Sequence, residues 1–261
     1  MNSASRKVIV VGAGSGIGAA TAALFYAAGD YVLAVDRKEQ QDSPATDYAQ
    51  VDLCEPKQIQ RLLSEIGPGW DVLAHVAGVP GTLSAIEVLT VNYLGFRLMA
   101  EGMLPLMRPG GAIVAVASIA GLAWTQRTAE LAGLLRCTTA AEVARWQSSQ
   151  EPNYPPYSTS KEALILFAKQ LATTAWSEHK VRVNTVSPGP VETPILPEFE
   201  QSMGKDLLEI ARSTVGRHAT VSDVAPVIDF LASSDSSWIV GQDIQVDGGF
   251  ANSMMTAATL A

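Results

Sequence analysis

Tyr157 and Lys161 stand four apart in Tyr157-Ser158-Thr159-Ser160-Lys161, and on a helix that spacing puts both side chains on one face. A phenol titrates near ~10 in water, so it is a poor base at neutral pH unless a cation stabilises the phenolate. A lysine one turn away supplies that cation. The pair alone also fits an exposed helix face, so its meaning depends on what accompanies it. Ser118 follows the apolar run Ala112–Ala117, at the point where strand carboxyl ends face the ligand crevice of a doubly wound sheet. There its hydroxyl would hold an alcohol or carbonyl oxygen beside the tyrosine. Asn92, set among Val88, Leu89, Val91 and Leu94, reads either as a solvent-facing helix position or as a buried amide. A buried amide needs partners, and a water on the way to Lys161 is one candidate.

A second group of residues lies near the start of the chain. The run Lys7–Val11 leads straight into Gly12-Ala13-Gly14-Ser15-Gly16-Ile17-Gly18, which opens an alanine-rich helical stretch. Glycines at such a junction permit a tight turn, close approach of a pyrophosphate to backbone N–H groups, and close packing of helix on strand. Asp36 closes the next apolar run, 18 residues after Gly18, about where an acidic residue grips the adenosine ribose hydroxyls. A carboxylate there accepts from both hydroxyls and repels a 2′-phosphate, so NAD is favoured over NADP. Arg37 and Lys38 follow it; an exposed polar turn is one reading of them, a grip on that phosphate the other.

Elements of two periods must carry these groups. Short β-branched runs at Lys7–Val11, Tyr31–Val35, Asp71–Val76, Ala112–Ala117, Val181–Val186 and Ile244–Val246 alternate with helical stretches at Ile17–Ala28, Lys57–Ile66, Ala85–Met107, Tyr157–Trp176 and Ser222–Ser233. That alternation predicts an α/β fold with a parallel sheet covered by helices on both faces. Two segments exceed it. About 123–153, the stretches Thr125–Arg136 and Thr139–Gln147 carry Leu131, Leu134, Leu135, Val143 and Trp146 at helical spacing. From about 188 to 217, Pro188, Pro190, Pro194 and Pro197 impose a loop before short helices. Both are candidates for covering a site.

The chain has 261 residues, 48% hydrophobic and 17% charged, with net charge -8. One α/β domain over 1–261 accommodates that length. The composition excludes a disordered or collagen-like chain. The negative charge argues against nucleic acid or an anionic membrane surface as partner. No apolar run approaches the roughly 20 residues of a membrane span, and the N-terminal apolar run is too short for a signal peptide. A soluble, cytoplasmic protein with a flexible lead-in is expected. Cys54 and Cys137 lie far apart, suggesting reduced thiols and neither a metal site nor a redox pair.

In order along the chain, the glycine motif, Asp36, Asp52-Leu53, Ala77-Gly78, Asn92, Ser118, Tyr157 with Lys161, and Ser187-Pro188-Gly189-Pro190 resemble the classical short-chain dehydrogenase/reductase family. The resemblance covers almost the whole chain and implies a single-domain Rossmann fold. It further implies that Asp52 meets the adenine amino group, that Leu53 flanks the adenine ring, and that Lys161 binds the nicotinamide ribose. By the same resemblance Val191 and Thr193 contact the carboxamide, and Gly12, Ser15, Gly16, Ile17, Gly18, Ala77, Gly78, Pro188 and Gly189 complete the cofactor cradle. His75-Val76-Ala77-Gly78 departs from the family's usual Asn-Asn-Ala-Gly, and His75 is read as a packed core residue. The 39 positions from Ser118 to Tyr157 exceed the usual single loop, so a helical insertion must fill them. With Glu87–Gly95 and Gly241–Gly249, that insertion is similar to the subgroup of bacterial 3α-hydroxysteroid dehydrogenase/carbonyl reductase and to borneol-type terpenoid alcohol dehydrogenases.

These readings imply an NAD-dependent dehydrogenase of a hydrophobic, alicyclic secondary alcohol, with Ser118, Tyr157, Lys161 and Asn92 as catalytic residues. A ketone reductase is the alternative direction of the same site, and a non-catalytic dinucleotide sensor the alternative class. Trp124, Leu131, Ile195, Leu196 and Phe199 are expected at the pocket. The insertion either covers substrate or packs against a second subunit of a homodimer or homotetramer. The stretch Phe250–Ala261 reads as a mobile tail or an interface segment.

Overall fold

Val8, Ile9, Val10 and Val11 have no polar residue among them because both faces of their strand are covered. The computed structural model describes residues 5–39, 44–151 and 154–260. The lead-in at Met1–Ala4, residues 152–153 of the insertion and Ala261 lie outside the described residues. Strands and helices alternate as β1 (Lys7–Val11), α1 (Gly16–Ala27), β2 (Tyr31–Asp36), β3 (Asp47–Gln50), α2 (Pro56–Ile66) and β4 (Trp70–His75). Next come α3 (Ala85–Leu89), α4 (Phe96–Met103), β5 (Met107–Val116), α5 (Thr128–Leu135), α6 (Ala140–Ser148) and α7 (Pro156–Thr174). The chain ends with β6 (Arg182–Pro188), α8 (Leu196–Met203), α9 (Lys205–Val215), α10 (Val221–Ala232), β7 (Asp243–Val246) and α11 (Phe250–Leu260).

The strands form one sheet in the order β3-β2-β1-β4-β5-β6-β7, with every neighbouring pair parallel. The expected doubly wound α/β fold is what the chain adopts, a Rossmann-like arrangement. Its order reverses between β1 and β4, and the carboxyl ends of those strands open a crevice. Residues of alternate parity enter separate cores. Ile9, Val11, Leu73 and Ile113 meet Ile59 of α2, Met99 of α4 and Phe167 of α7. Val8, Val10, Val72 and Val114 meet Phe25 of α1 and Ile228 of α10.

Three expectations change. The sheet has a seventh strand, β3, which paired no apolar run with its position because it is an edge strand with no buried residue. The stretch read as one helix over Ala85–Met107 stops at Met103, since Pro105 cannot donate to a helical ladder and β5 begins at Met107. Within it, Thr90–Gly95 forms a π-turn. Lastly, the tail is a helix. Asp247 accepts from Gly249 and Ala251 N–H groups at 2.9 and 2.7 Å, fixing the entry to α11, where Phe250 and Ala251 are buried.

The insertion forms α5 and α6. Thr139 and Glu142 make a reciprocal cap at the start of α6. Leu131, Leu134 and Val143 are fully buried in the core shared with α7, so the insertion braces the outer side of that helix.

Gly18 sits where α1 leaves the glycine turn, and a Cβ there would overlap the Gly12 carbonyl oxygen. Gly18→Ala must therefore push α1 off β1. The expected cost is about 1–3 kcal/mol of stability, measured by chemical denaturation, together with weakened dinucleotide binding measured by NADH fluorescence.

Candidate active site

At the carboxyl ends of the strands lies a cleft of about 530 Å³. Its floor begins with the glycine turn, where Gly12 N donates to Val35 O at 2.8 Å and so ties β1 to β2. Gly12, Ser15, Gly16, Ile17 and Gly18 all line the cleft. Asp36, the last residue of β2, is aimed by two backbone donors: Gly14 N–H to Oδ2 at 2.9 Å and Lys38 N–H to Oδ1 at 3.1 Å. Both oxygens have one lone pair so occupied, leaving the others free to accept from a diol.

Past β3 the wall passes to Asp52 and Leu53. Asp52 Oδ1 accepts from Cys54 N–H at 2.8 Å, which stiffens the corner, and Leu53 is buried to 6% exposure. Burial, reinforced by Asp52, pushes the Cys54 thiol up to about 11, and neither cysteine is in a disulfide. Ala77 and Gly78 continue the wall after β4, and Pro188, Gly189, Val191 and Thr193 form its opposite side after β6. Val191 is held by a bridge to Ala219.

Ser118 follows β5 and caps the 3₁₀ segment Ile119–Gln126, its Oγ accepting from Ala120 N–H at 3.1 Å. Tyr157 lies in the first turn of α7 and lines the cleft together with Ser118, whose side chain favours the ionised phenol. Lys161, 3% exposed, donates from Nζ to Val116 O at 2.9 Å and stands 5.9 Å from the Tyr157 ring centroid. Burial pushes the phenol up to about 12, against the pull of Ser118, and pushes the Lys161 ammonium down to about 8. The expected lowering of the tyrosine by lysine is not found: desolvation is the largest influence on the phenol, and only Ser118 opposes it. Both groups are protonated at neutral pH.

Asn92 is not on the cleft wall and is not solvent-facing either. It is fully buried in the π-turn. Its Oδ1 accepts from Val79 N–H at 2.8 Å, and its Nδ2 donates to Val79 O and to Ser160 Oγ, each at 3.0 Å. The amide therefore fastens the strand-end loop to α7. His75 is packed as expected, edge-on to Phe96 at 5.3 Å. Burial, with the charge of Lys161, pushes it down to about 3.

The remaining wall is apolar. Ile195, Leu196 and Phe199 line it as expected, and the Phe199 ring stands 5.1 Å from that of Tyr157. Trp124 and Leu131 do not line it. Leu131 is spent on the core against α7, and Trp124 lies under Lys169, 5.3 Å from its ammonium. No described residue of the insertion lines the cleft. Met203, Leu207, Leu208 and Phe250 line the cleft unforeseen. The spacing of Leu207, Leu208 and Ala211 marks an inward face of α9 that could have been read, whereas nothing local marks Phe250.

Among the described residues, no group of three or more His, Cys, Asp or Glu side chains is placed to hold a metal ion. Nor is any described helix long and apolar enough to cross a membrane.

The profile described as short chain dehydrogenase matches residues 6–129, and the one described as enoyl-(acyl carrier protein) reductase matches residues 138–251. Coniferyl-alcohol dehydrogenase of Pseudomonas sp. (strain HR199 / DSM 7063) is 37% identical over 255 residues, covering 97% of this chain and 99% of the relative. The chain belongs to the short-chain dehydrogenase/reductase family. A second relative in this oxidoreductase family, 3-alpha-hydroxysteroid dehydrogenase/carbonyl reductase of Comamonas testosteroni, is 31% identical, with coverage of 93% and 95%. The crystal structure of 3-alpha-hydroxysteroid dehydrogenase from Pseudomonas sp. B-0831, complexed with NADH, matches with TM-score 0.79 and 28% identity over 96% of this chain and 98% of that one.

Removing the Asn92 amide would leave both backbone groups of Val79 without their partner. Asn92→Ala is expected to cost roughly 2–3 kcal/mol in chemical denaturation, since stranded polar groups lose their full desolvation energy.

Proposed function

We propose that the protein is an NAD-dependent dehydrogenase of hydrophobic, ring-bearing secondary alcohols, alicyclic ones in the first place. The observation that carries the reading is the meeting of Ser118, Tyr157 and the Lys161 ammonium on the wall of the cleft that also receives the glycine turn and Asp36. The cleft fits a dinucleotide: a helix N-terminus for the pyrophosphate, an aimed carboxylate for the ribose diol, and the Asp52–Leu53 corner for adenine. Bound there, the nicotinamide supplies the acceptor for the substrate hydride.

The chain's own groups handle the rest. Ser118 orients the substrate hydroxyl, the Tyr157 phenolate takes its proton and becomes the neutral phenol, and the Lys161 ammonium stabilises the phenolate before that transfer. Asn92 acts behind them, holding the Val79 loop and Ser160 in register with Tyr157. Ile195, Leu196 and Phe199 offer a substrate apolar surface and exclude water. Asp36 favours NAD because a 2′-phosphate would meet a carboxylate whose orientation is already set.

A second reading of the substrate, an aryl-substituted allylic alcohol, draws on the 37% identity to coniferyl-alcohol dehydrogenase and on the Phe199 ring edge beside Tyr157. The discriminating experiment is NADH formation at 340 nm with NAD or NADP and a panel of borneol-like terpenols, 3-hydroxysteroids, cyclohexanols and coniferyl-type alcohols. Turnover confined to the last class would replace the alicyclic reading.

Tyr157→Phe is expected to lower kcat ~10²–10⁴-fold while NADH still binds; substantial residual turnover would refute the assigned base. Asp36→Ala should shift the ratio of kcat/KM for NAD over NADP at least about tenfold toward NADP, and an unchanged ratio would remove Asp36 from that role. The base form of Tyr157 is the deprotonated one, and its pKa lies well above neutrality. Alcohol oxidation should therefore rise with pH from 7 to 9, while ketone reduction, which needs the neutral phenol, should not; a flat oxidation profile would count against proton removal by this phenol.

A further inference from the structure

After Ser118 the chain leaves the sheet, crosses α7 and enters the insertion, and the crossing is made at the residue that carries the ammonium. A Cβ at Gly121 would stand 2.8 Å from the Lys161 carbonyl carbon and 3.0 Å from the Glu162 nitrogen. Backbone rests on backbone there. At the junction of the 3₁₀ segment with α5, Arg127 reaches the same stretch of α7. Its Nη1 donates to Glu162 Oε2 at 2.6 Å and to Thr159 Oγ1 at 3.2 Å, and its Nε to Glu130 Oε2 at 2.8 Å.

This pair differs from the exposed ion pairs elsewhere on the molecule. The Glu162 side chain is 3% exposed and that of Arg127 23%, so solvent and salt screen it little. Burial pushes the Glu162 carboxyl up, and Arg127 pulls it back. The three acceptors of Arg127 lie on two elements, Glu130 on α5 and Thr159 with Glu162 on α7. A guanidinium fork fixes direction as well as distance.

Ser118 is at one end of the 3₁₀ segment and Arg127 at the other, with Gly121 against α7 between them. Neither Arg127 nor Glu162 lines the cleft. We propose that Arg127 and Glu162 are positioning residues, whose buried ion pair sets the Ser118 hydroxyl against the Tyr157–Lys161 face and so couples turnover to the insertion. The inference rests on the reading of Ser118, Tyr157 and Lys161 as the reacting set. A displacement of about 1 Å at reacting groups is enough to cost up to about 10²-fold in rate.

The test compares the full-length chain with Arg127→Met, the double variant Arg127→Met/Glu162→Met, Arg127→Lys and Tyr157→Phe, using the panel alcohol that turns over fastest. NADH affinity by fluorescence, KM, kcat and thermal midpoint are measured for each. If the pair positions the site, kcat falls about tenfold in the two methionine variants, with NADH affinity and KM within about threefold of the parent. Arg127→Lys, which keeps a cation opposite Glu162, recovers part of that loss. Should Arg127→Met fail to fold around its stranded carboxylate, the double variant carries the measurement, because an apolar pair removes the buried charge.

A folded double variant turning over within twofold of the parent overturns the proposal and leaves the pair a matter of stability alone. The control separates the two readings: an inactive Tyr157→Phe beside fully active methionine variants sinks the positioning role only. High activity in Tyr157→Phe sinks the catalytic assignment on which it rests.

Discussion

An ammonium carried into the interior on a helix has to find an oxygen there, and Lys161 finds the Val116 carbonyl at 2.9 Å. Stranding such a charge without that partner would cost several kcal/mol. The bond fixes the height of α7 over the end of β5, and Ser118, two residues beyond Val116, takes its place from it. The same charge acts through the strand end on His75, which stays neutral. Tyr157, four residues before the lysine, is thereby held at the lip of the sheet, on the same cleft wall as Ser118. Loop, strand and helix converge because one cation needs one carbonyl.

Much of this was legible in the chain. Glycine spacing, Asp36 closing an apolar run and the four-residue step from Tyr157 to Lys161 each carry their geometry locally, and the parallel, helix-covered sheet follows from alternating periods. What was not legible depended on contacts distant in sequence. β3 buries nothing, so no apolar run announces it. The place of Asn92 was ambiguous because an amide inside a helical stretch satisfies either environment. Only the return of the Val79 loop past α4's preceding π-turn shows that its partners are backbone groups. The insertion's apolar residues declared helices but not the surface that they meet. Leu131, Leu134 and Val143 fill the core beside α7, where sequence alone allowed the mouth of the cleft or a second subunit.

Family likeness and local physics therefore contribute differently. Relatives of 37% and 31% identity match over nearly the whole chain. The 39 positions from Ser118 to Tyr157 hold α5 and α6, and the fold accommodates them away from the cleft wall. It does so by sending the extra residues outward, over the back of the helix that bears the tyrosine and lysine. Apolar volume added there thickens the core on one face of the sheet and leaves the cleft to the segments after β6.

Those segments have a property of their own. α8 roofs the cleft with Leu196, Phe199 and Met203, yet it fully buries none of its residues. Lifting it exposes little new apolar surface, so its opening free energy lies far below that of global unfolding. Amide protons in Leu196–Met203 are expected to exchange through such local opening before those of the buried sheet.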